Sequence, residues 1–96
     1  MQYRELGKTS LKVSVMSLGT VSLGVPYGIP APDGFGIPSE AESLRLLEHA
    51  AETGINLFDT APAYGESERL LGLVVGSDKN CHIATKITIP KDAKEF

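Results

Sequence analysis

The chain contains several short runs that favour β-structure and one clear apolar stripe with helical spacing. The short runs are typical of strands, and they lie at residues 3–6, 11–15, 15–18, 55–58 and 82–86. Residues 7–10, Gly-Lys-Thr-Ser, separate the first two runs and read as a turn. The pattern therefore predicts a small N-terminal hairpin followed by three further strands.

Helical periodicity predicts a helix over residues 40–53. The residues of its apolar stripe are Leu44, Leu47, Ala50 and Ala51. Ser39 and Glu42 have the spacing of a capping box at its start, and Gly54 stands where a helix C-cap glycine belongs. A second helix is expected over about 66–75. Between the third apolar run and the first helix, residues 24–38 are so rich in Gly and Pro that they predict a long loop.

The predicted order of elements is hairpin, strand, helix, strand, helix, strand. This alternation indicates right-handed βαβ units and a parallel sheet, either a doubly wound open sheet or a (β/α)8 barrel. A nucleotide-binding open sheet typically carries G-x-G-x-x-G directly after its first strand. The corresponding residues 19–24 read Gly-Thr-Val-Ser-Leu-Gly and lead into a loop rather than a helix. The dinucleotide fingerprint is therefore absent.

Composition is ordinary for a soluble globular protein, with 42% apolar and 22% charged residues. A net charge of -3 gives no basic patch for nucleic acid and no reason to expect binding to a membrane surface. The chain shows neither a signal peptide nor an apolar run of membrane-spanning length. Cys81 is the only cysteine, which excludes an internal disulfide and suits a buried, inert thiol. These features predict a cytoplasmic protein without nucleic-acid or membrane partners.

Three polar residues stand at the carboxyl ends of predicted strands. Asp59 ends the strand at 55–58, Tyr64 lies in the loop after it, and Lys86 ends the strand at 82–86. Each has an ordinary role when taken alone: a turn cap, a packing aromatic and a solvated lysine. In a parallel barrel, however, the carboxyl ends of all strands open on one face, and that face carries the active site. We therefore expect the three side chains to converge.

Their chemistry suits proton transfer to a carbonyl oxygen. A free tyrosine has a pKa near ~10, which is too high for an efficient proton donor at neutral pH. An ammonium about 4 Å away stabilises the phenolate by roughly 4 kcal/mol at an effective dielectric of ~20. An aspartate keeps that lysine charged and oriented. A hydride has to come from a cofactor, since no side chain donates one. No Cys/His cluster has metal-ligand spacing, so no metal site is predicted.

Five blocks of the sequence resemble the aldo-keto reductase superfamily in their order and spacing. They read RELGKTSLKVS at 4–14, LGT at 18–20, GINLFDTA at 54–61, AYGESE at 63–68 with LG at 71–72, and IATK at 83–86. The segment from Asp59 to Tyr64 is the most specific, and the resemblance covers essentially the whole chain.

The resemblance implies a (β/α)8 barrel that is closed at the bottom by the N-terminal hairpin and binds NADP(H) without a Rossmann motif. The family's catalytic tetrad is Asp, Tyr, Lys and His, and Asp59, Tyr64 and Lys86 match the first three. Tyr64 would then donate a proton to an aldehyde or ketone, with Lys86 and Asp59 tuning it. The positions that match the family's contacts to the nicotinamide end of the cofactor are Gly19, Thr20, Val21 and Asp59.

Two departures from the family's pattern bear on function. The loop at 24–38 is longer than usual, and Val21 replaces the usual aromatic, which affects the substrate pocket. The family's histidine follows the fourth strand, and this sequence ends at Phe96. A barrel of eight strands needs about 250 residues. We therefore expect residues 1–96 to be the N-terminal segment of a single, incomplete barrel domain, inactive alone, whose unpaired strand edges favour self-association.

Two other functions stay open. A barrel of the same ancestry could bind cofactor without catalysis and act through a protein partner, as the channel-associated β subunits do. An unrelated barrel enzyme could instead use Asp59 for a metal, which predicts metal-dependent activity and no effect of Tyr64→Phe.

Overall fold

The computed structural model describes residues 1–30, 32 and 36–91 of the chain. The first two elements form an antiparallel hairpin, in which Arg4 is paired with Val13. In chain order the elements are β1 (Tyr3–Glu5), β2 (Lys12–Ser14), β3 (Leu18–Gly19), α1 (Val21–Gly24), α2 (Glu40–Glu52), β4 (Leu57–Asp59), α3 (Ser67–Val75) and β5 (His82–Ala84).

The strands after the hairpin form a three-stranded parallel sheet in the order β3-β4-β5. Phe58 at the centre of β4 is paired with Leu18 on one side and with Ile83 on the other. The Phe58 side chain is fully buried in one core with residues of α2 and α3: Leu47, Ala50, Leu70, Leu71 and Val75. The predicted parallel sheet and α/β class are therefore confirmed, and Phe58 of β4 lies in the core that both helices share.

Local signals explain why α2 begins and ends where it does. Ser39 Oγ accepts a hydrogen bond from the Glu42 N–H at 3.2 Å, which caps the first turn. At the other end Gly54 has a φ of +102°. The Gly54 N–H donates to the Ala51 carbonyl, and the next N–H donates to the Ala50 carbonyl, each at 3.1 Å. This is the Schellman arrangement that glycine favours after a helix, and it confirms the predicted helix to within one residue.

The hairpin is bonded to residues that precede β4. Asn56 Oδ1 accepts from the Ser14 N–H at 2.7 Å, and Ser14 Oγ accepts from the Asn56 N–H at 3.1 Å. The Tyr3 hydroxyl also donates to the Gly54 carbonyl at 2.7 Å. Since these contacts lie at the amino end of β4, the hairpin leaves the carboxyl ends of the parallel strands uncovered.

Several predicted boundaries were wrong. The run at 55–58 is paired only from Leu57 onward and extends to Asp59. The run at 15–18 is paired only from Leu18 onward, because the Val15 N–H donates to the Gln2 carbonyl at 2.9 Å and so continues the hairpin. The run at 82–86 is paired only as far as Ala84, the end of β5. The segment after Gly19 is not all loop, because α1 occupies Val21–Gly24.

Within the predicted loop at 24–38, residues 25–30 and 36–38 form no regular element, and residues 31 and 33–35 lie outside the described part. In the part of the chain that the structure describes, no helix has the length and apolar character needed to span a bilayer.

Candidate active site

The ion pair between Lys86 and Asp59 is the centre of the candidate site. Lys86 Nζ lies 3.1 Å from Asp59 Oδ2 and 3.2 Å from Oδ1, and it also donates to the Thr60 carbonyl at 2.9 Å. Both charged side chains are about half exposed, at 50% each. The hydrogen bond to Asp59 is the main reason why the pKa of Lys86 lies above its ordinary value, while desolvation acts in the opposite direction. The lysine is therefore held as an oriented ammonium.

The Tyr64 ring lies against this ammonium. Lys86 Nζ is 4.9 Å from the ring centroid, within the range of a cation–π contact. The Tyr64 hydroxyl also contributes to the raised pKa of Lys86, less than Asp59 does. The structure thus brings together all three of the residues predicted to be catalytic. Their roles in catalysis stay a prediction.

Backbone pairing places these groups beyond the carboxyl ends of two neighbouring strands. Asp59 is the last residue of β4, and the next N–H, that of Thr60, donates to the Ala84 carbonyl at 2.9 Å. The chain leaves the sheet after Ala84, and Lys86 follows two residues later. Thr85 Oγ1 donates to Glu68 on α3 at 2.6 Å, which ties this segment to the helix beside it. The ammonium can therefore reach back over the end of β4.

Thr20, the residue after β3, supports Asp59 from the other side. Its N–H and its Oγ1 both donate to the Asp59 carbonyl, each at 3.0 Å, and its side chain is fully buried. The Thr20 carbonyl in turn accepts from the buried Ser67 Oγ at 2.6 Å. The structure thus uses the Thr20 side chain to hold the Asp59 backbone, and its predicted contact with a cofactor stays a prediction.

Gly19 and Val21 border the same end of the sheet. Gly19 is exposed, and a Cβ added to it would meet no atom within 4 Å. Val21, the first residue of α1, is half-buried. There is therefore open space beside the Gly19 backbone, where β3 is paired with Asp59 of β4. The predicted contacts of Gly19, Val21 and Asp59 with the nicotinamide end of a cofactor stay a prediction.

Two supporting groups were missed in the sequence. The Thr60 carbonyl accepts a hydrogen bond from Lys86, and the Ser67 hydroxyl donates one to the carbonyl of Thr20, directly after β3. Ser67 stands in the block that resembles the reductase family, which was a signal for its importance but not for its partner. Every residue has a backbone carbonyl, so the residue types alone could not indicate that the Thr60 carbonyl accepts a hydrogen bond from Lys86.

Comparison with known proteins agrees with this geometry. The aldo/keto reductase family model matches residues 15–95. Versiconal hemiacetal acetate reductase from Aspergillus parasiticus is 43% identical over 74 residues, which is 75% of this chain and 20% of that protein. Two solved structures described as an aldo-keto reductase from Pseudomonas aeruginosa are 44% and 42% identical, with TM-scores of 0.69 and 0.68. Each matches 88% of this chain, and the matched part is 32% and 30% of those chains.

The hairpin and the alternating parallel strands and helices correspond to the N-terminal part of a (β/α)8 barrel, the fold of the two solved structures. The chain belongs to the aldo/keto reductase family. It spans about a fifth of the length of the curated relative and about a third of the length of the two solved structures.

Proposed function

We propose that this chain contributes to an oxidoreductase that transfers a hydride between NADP(H) and an aldehyde or ketone. The observation that carries the proposal is the cluster at the carboxyl ends of β4 and β5. There Lys86 Nζ contacts both carboxylate oxygens of Asp59 and lies 4.9 Å from the centroid of the Tyr64 ring. A charged lysine beside a half-buried phenol, within this family, supports proton donation to a carbonyl oxygen.

The chain's own residues have distinct tasks in that reaction. Tyr64 donates the proton from its hydroxyl to the substrate's carbonyl oxygen. The Lys86 ammonium then stabilises the phenolate that is left, because opposite charges a few ångströms apart attract strongly in a partly desolvated site. Asp59 keeps Lys86 protonated and aimed, which agrees with the raised pKa of Lys86. The nicotinamide cofactor supplies the hydride, and Gly19, Val21 and Asp59 would hold its nicotinamide end.

The substrate class is a small carbonyl compound. The Aspergillus relative is named for its reduction of a hemiacetal acetate. A hemiacetal is in equilibrium with an open-chain aldehyde, so that name is compatible with the carbonyl chemistry proposed here. We further propose that the protein acts in the cytoplasm, and that residues 1–96 are inactive without the remaining strands of the barrel.

Replacement of Tyr64 by Phe in the complete barrel tests the proposal. Since a positioned general acid contributes about 10²–10⁴-fold, kcat for an aldehyde should fall by roughly that factor. NADPH binding, followed by the cofactor's fluorescence, should stay nearly unchanged. Tyr27→Phe is the matched control, because the Tyr27 side chain is exposed and lies in the loop after α1.

Equal turnover by the Tyr64→Phe and Tyr27→Phe variants would contradict the role of Tyr64. Cofactor binding without turnover of any aldehyde or ketone by the unmodified protein would instead favour the non-catalytic alternative. A requirement for added metal would favour the metal-dependent one.

A further inference from the structure

Gly24, the last residue of α1, packs directly on the backbone of Tyr64. A Cβ added at Gly24 would lie 1.7 Å from the Tyr64 carbonyl oxygen, 2.6 Å from its carbonyl carbon and 2.7 Å from Ser67 Oγ. Real Cβ atoms essentially never come within 3.0 Å of such neighbours. The absence of a side chain at Gly24 is therefore a condition for the present position of Tyr64.

The contact requires glycine on its other side as well. Gly65 has a φ of +55°, a conformation that glycine adopts without strain. A Cβ added at Gly65 would lie 2.4 Å from the Gly24 carbonyl oxygen and 3.2 Å from the Gly24 Cα. Two glycines from distant parts of the chain thus let the end of α1 and the Tyr64 turn meet backbone to backbone.

The Tyr64 turn is held by two local hydrogen bonds, which a new methyl group at Gly24 would disturb. The Tyr64 N–H donates to the Ala61 carbonyl at 3.1 Å, and the Tyr64 carbonyl accepts from the Ser67 N–H at 3.0 Å. The second bond belongs to the start of α3, whose residues Leu70 and Leu71 are buried in the core. A displacement of Tyr64 therefore has to break local hydrogen bonds or shift the helix start.

We propose that Gly24 is a positioning residue for Tyr64, an inference that rests on the proposed role of Tyr64 as proton donor. Relief of a 1.7 Å approach to the 3.0 Å limit requires a movement of more than 1 Å between α1 and the Tyr64 turn. A misplacement of about 1 Å at a catalytic group typically lowers turnover on the order of 10²-fold. Gly24 exerts this effect through the Tyr64 backbone and without touching the substrate.

Gly24→Ala in the complete barrel tests this inference, with Gly72→Ala as the matched control. A Cβ at Gly72 meets nothing within 4 Å, so this variant should keep the original kcat. Gly24→Ala should lower kcat by about 10²-fold and change the KM of the aldehyde by much less. In a Tyr64→Phe background, Gly24→Ala should cause no further loss, because the group that it displaces is already absent.

The outcomes separate this inference from the proposed function. If Tyr64→Phe lowers kcat and Gly24→Ala does not, or if Gly24→Ala lowers kcat equally in both backgrounds, the positioning role is wrong. If Tyr64→Phe has no effect, the proposed function fails first, and the positioning role fails with it.

Should Gly24→Ala fail to fold, NMR of the unmodified protein decides the matter. A cross-relaxation peak between the Hα protons of Gly24 and those of Gly65 supports the backbone contact, and its absence overturns the inference.

Discussion

Replacement of Thr20 by Val and replacement of Thr60 by Val should have opposite effects on the free energy of unfolding. Both side chains are fully buried, at 0% exposure. Thr20 Oγ1 donates to the Asp59 carbonyl at 3.0 Å. Thr60 Oγ1 has no hydrogen-bond partner among the described residues. Replacement of each by Val keeps the shape of the side chain and removes only the hydroxyl function.

The magnitudes follow from the fate of each hydroxyl. Thr20→Val loses one hydrogen bond, worth about 1 kcal/mol net. The Asp59 carbonyl is not left unsatisfied, because the Thr20 N–H still donates to it at 3.0 Å. Thr60→Val removes a buried polar group whose desolvation costs roughly 1–3 kcal/mol, so it should raise the free energy of unfolding by about 1 kcal/mol. The two variants should differ by about 2 kcal/mol, roughly 30-fold in the folding equilibrium constant.

Urea unfolding at neutral pH measures both effects. The unfolding midpoint should fall for Thr20→Val and rise for Thr60→Val, with the m-value unchanged in each. Ser43→Ala is a useful companion, because Ser43 Oγ is also buried without a partner among the described residues. Equal destabilisation by the two Thr→Val variants would refute the reasoning from the hydrogen-bond assignments.

Three further predictions concern charge, core and thiol. Asp59→Asn should lower the pKa of Lys86, measured by NMR of its side chain, because the hydrogen bond to Asp59 is the main cause of the raised pKa. Because folding raises the pKa of Lys86, its ion pair with Asp59 stabilises the fold at pH values below the ordinary pKa of 10.5. This stabilisation is lost as the pH rises through the raised pKa of the folded state, so the unmodified protein and Asp59→Asn should converge in stability in strong alkali. Leu47→Ala should cost about 2–5 kcal/mol in urea unfolding, since Leu47 is 0% exposed. Cys81 should react with iodoacetamide more slowly than free cysteine at pH 8, because burial raises its pKa.

The outcomes that would contradict these three predictions are equally concrete. They are an unchanged pKa of Lys86 in Asp59→Asn, a loss below about 1 kcal/mol in Leu47→Ala, and alkylation of Cys81 at the rate of a free thiol.

The helices could be predicted from the sequence because their signals are local. The apolar stripe, the Ser39 cap and Gly54 all lie within or beside α2, and the structure confirms them. The approximate positions of the strands could be predicted, but their first and last residues could not. Each strand has only two or three residues and ends where the neighbouring strand turns away from it. For this reason β5 stops at Ala84, although the predicted strand extends to Lys86.

The convergence of Asp59, Tyr64 and Lys86 was predictable from topology, because parallel strands open at a common face. The contacts that hold this cluster were not predictable. Ser67 and Thr20 are 47 residues apart in the sequence, and their bond depends on how α3 packs beside α1. The approach of Gly24 to Tyr64 is of the same kind, since a glycine in a Gly-rich run gives no sign of what lies against it.

The most direct test of the account is a double-mutant cycle of Tyr64→Phe and Lys86→Met, with aldehyde turnover by the complete barrel as the readout. If the phenol and the ammonium act as one unit, the double variant should turn over about as fast as the slower single variant. If the two losses simply multiply, the groups act independently, and the claim that this cluster is one proton-donating site is contradicted.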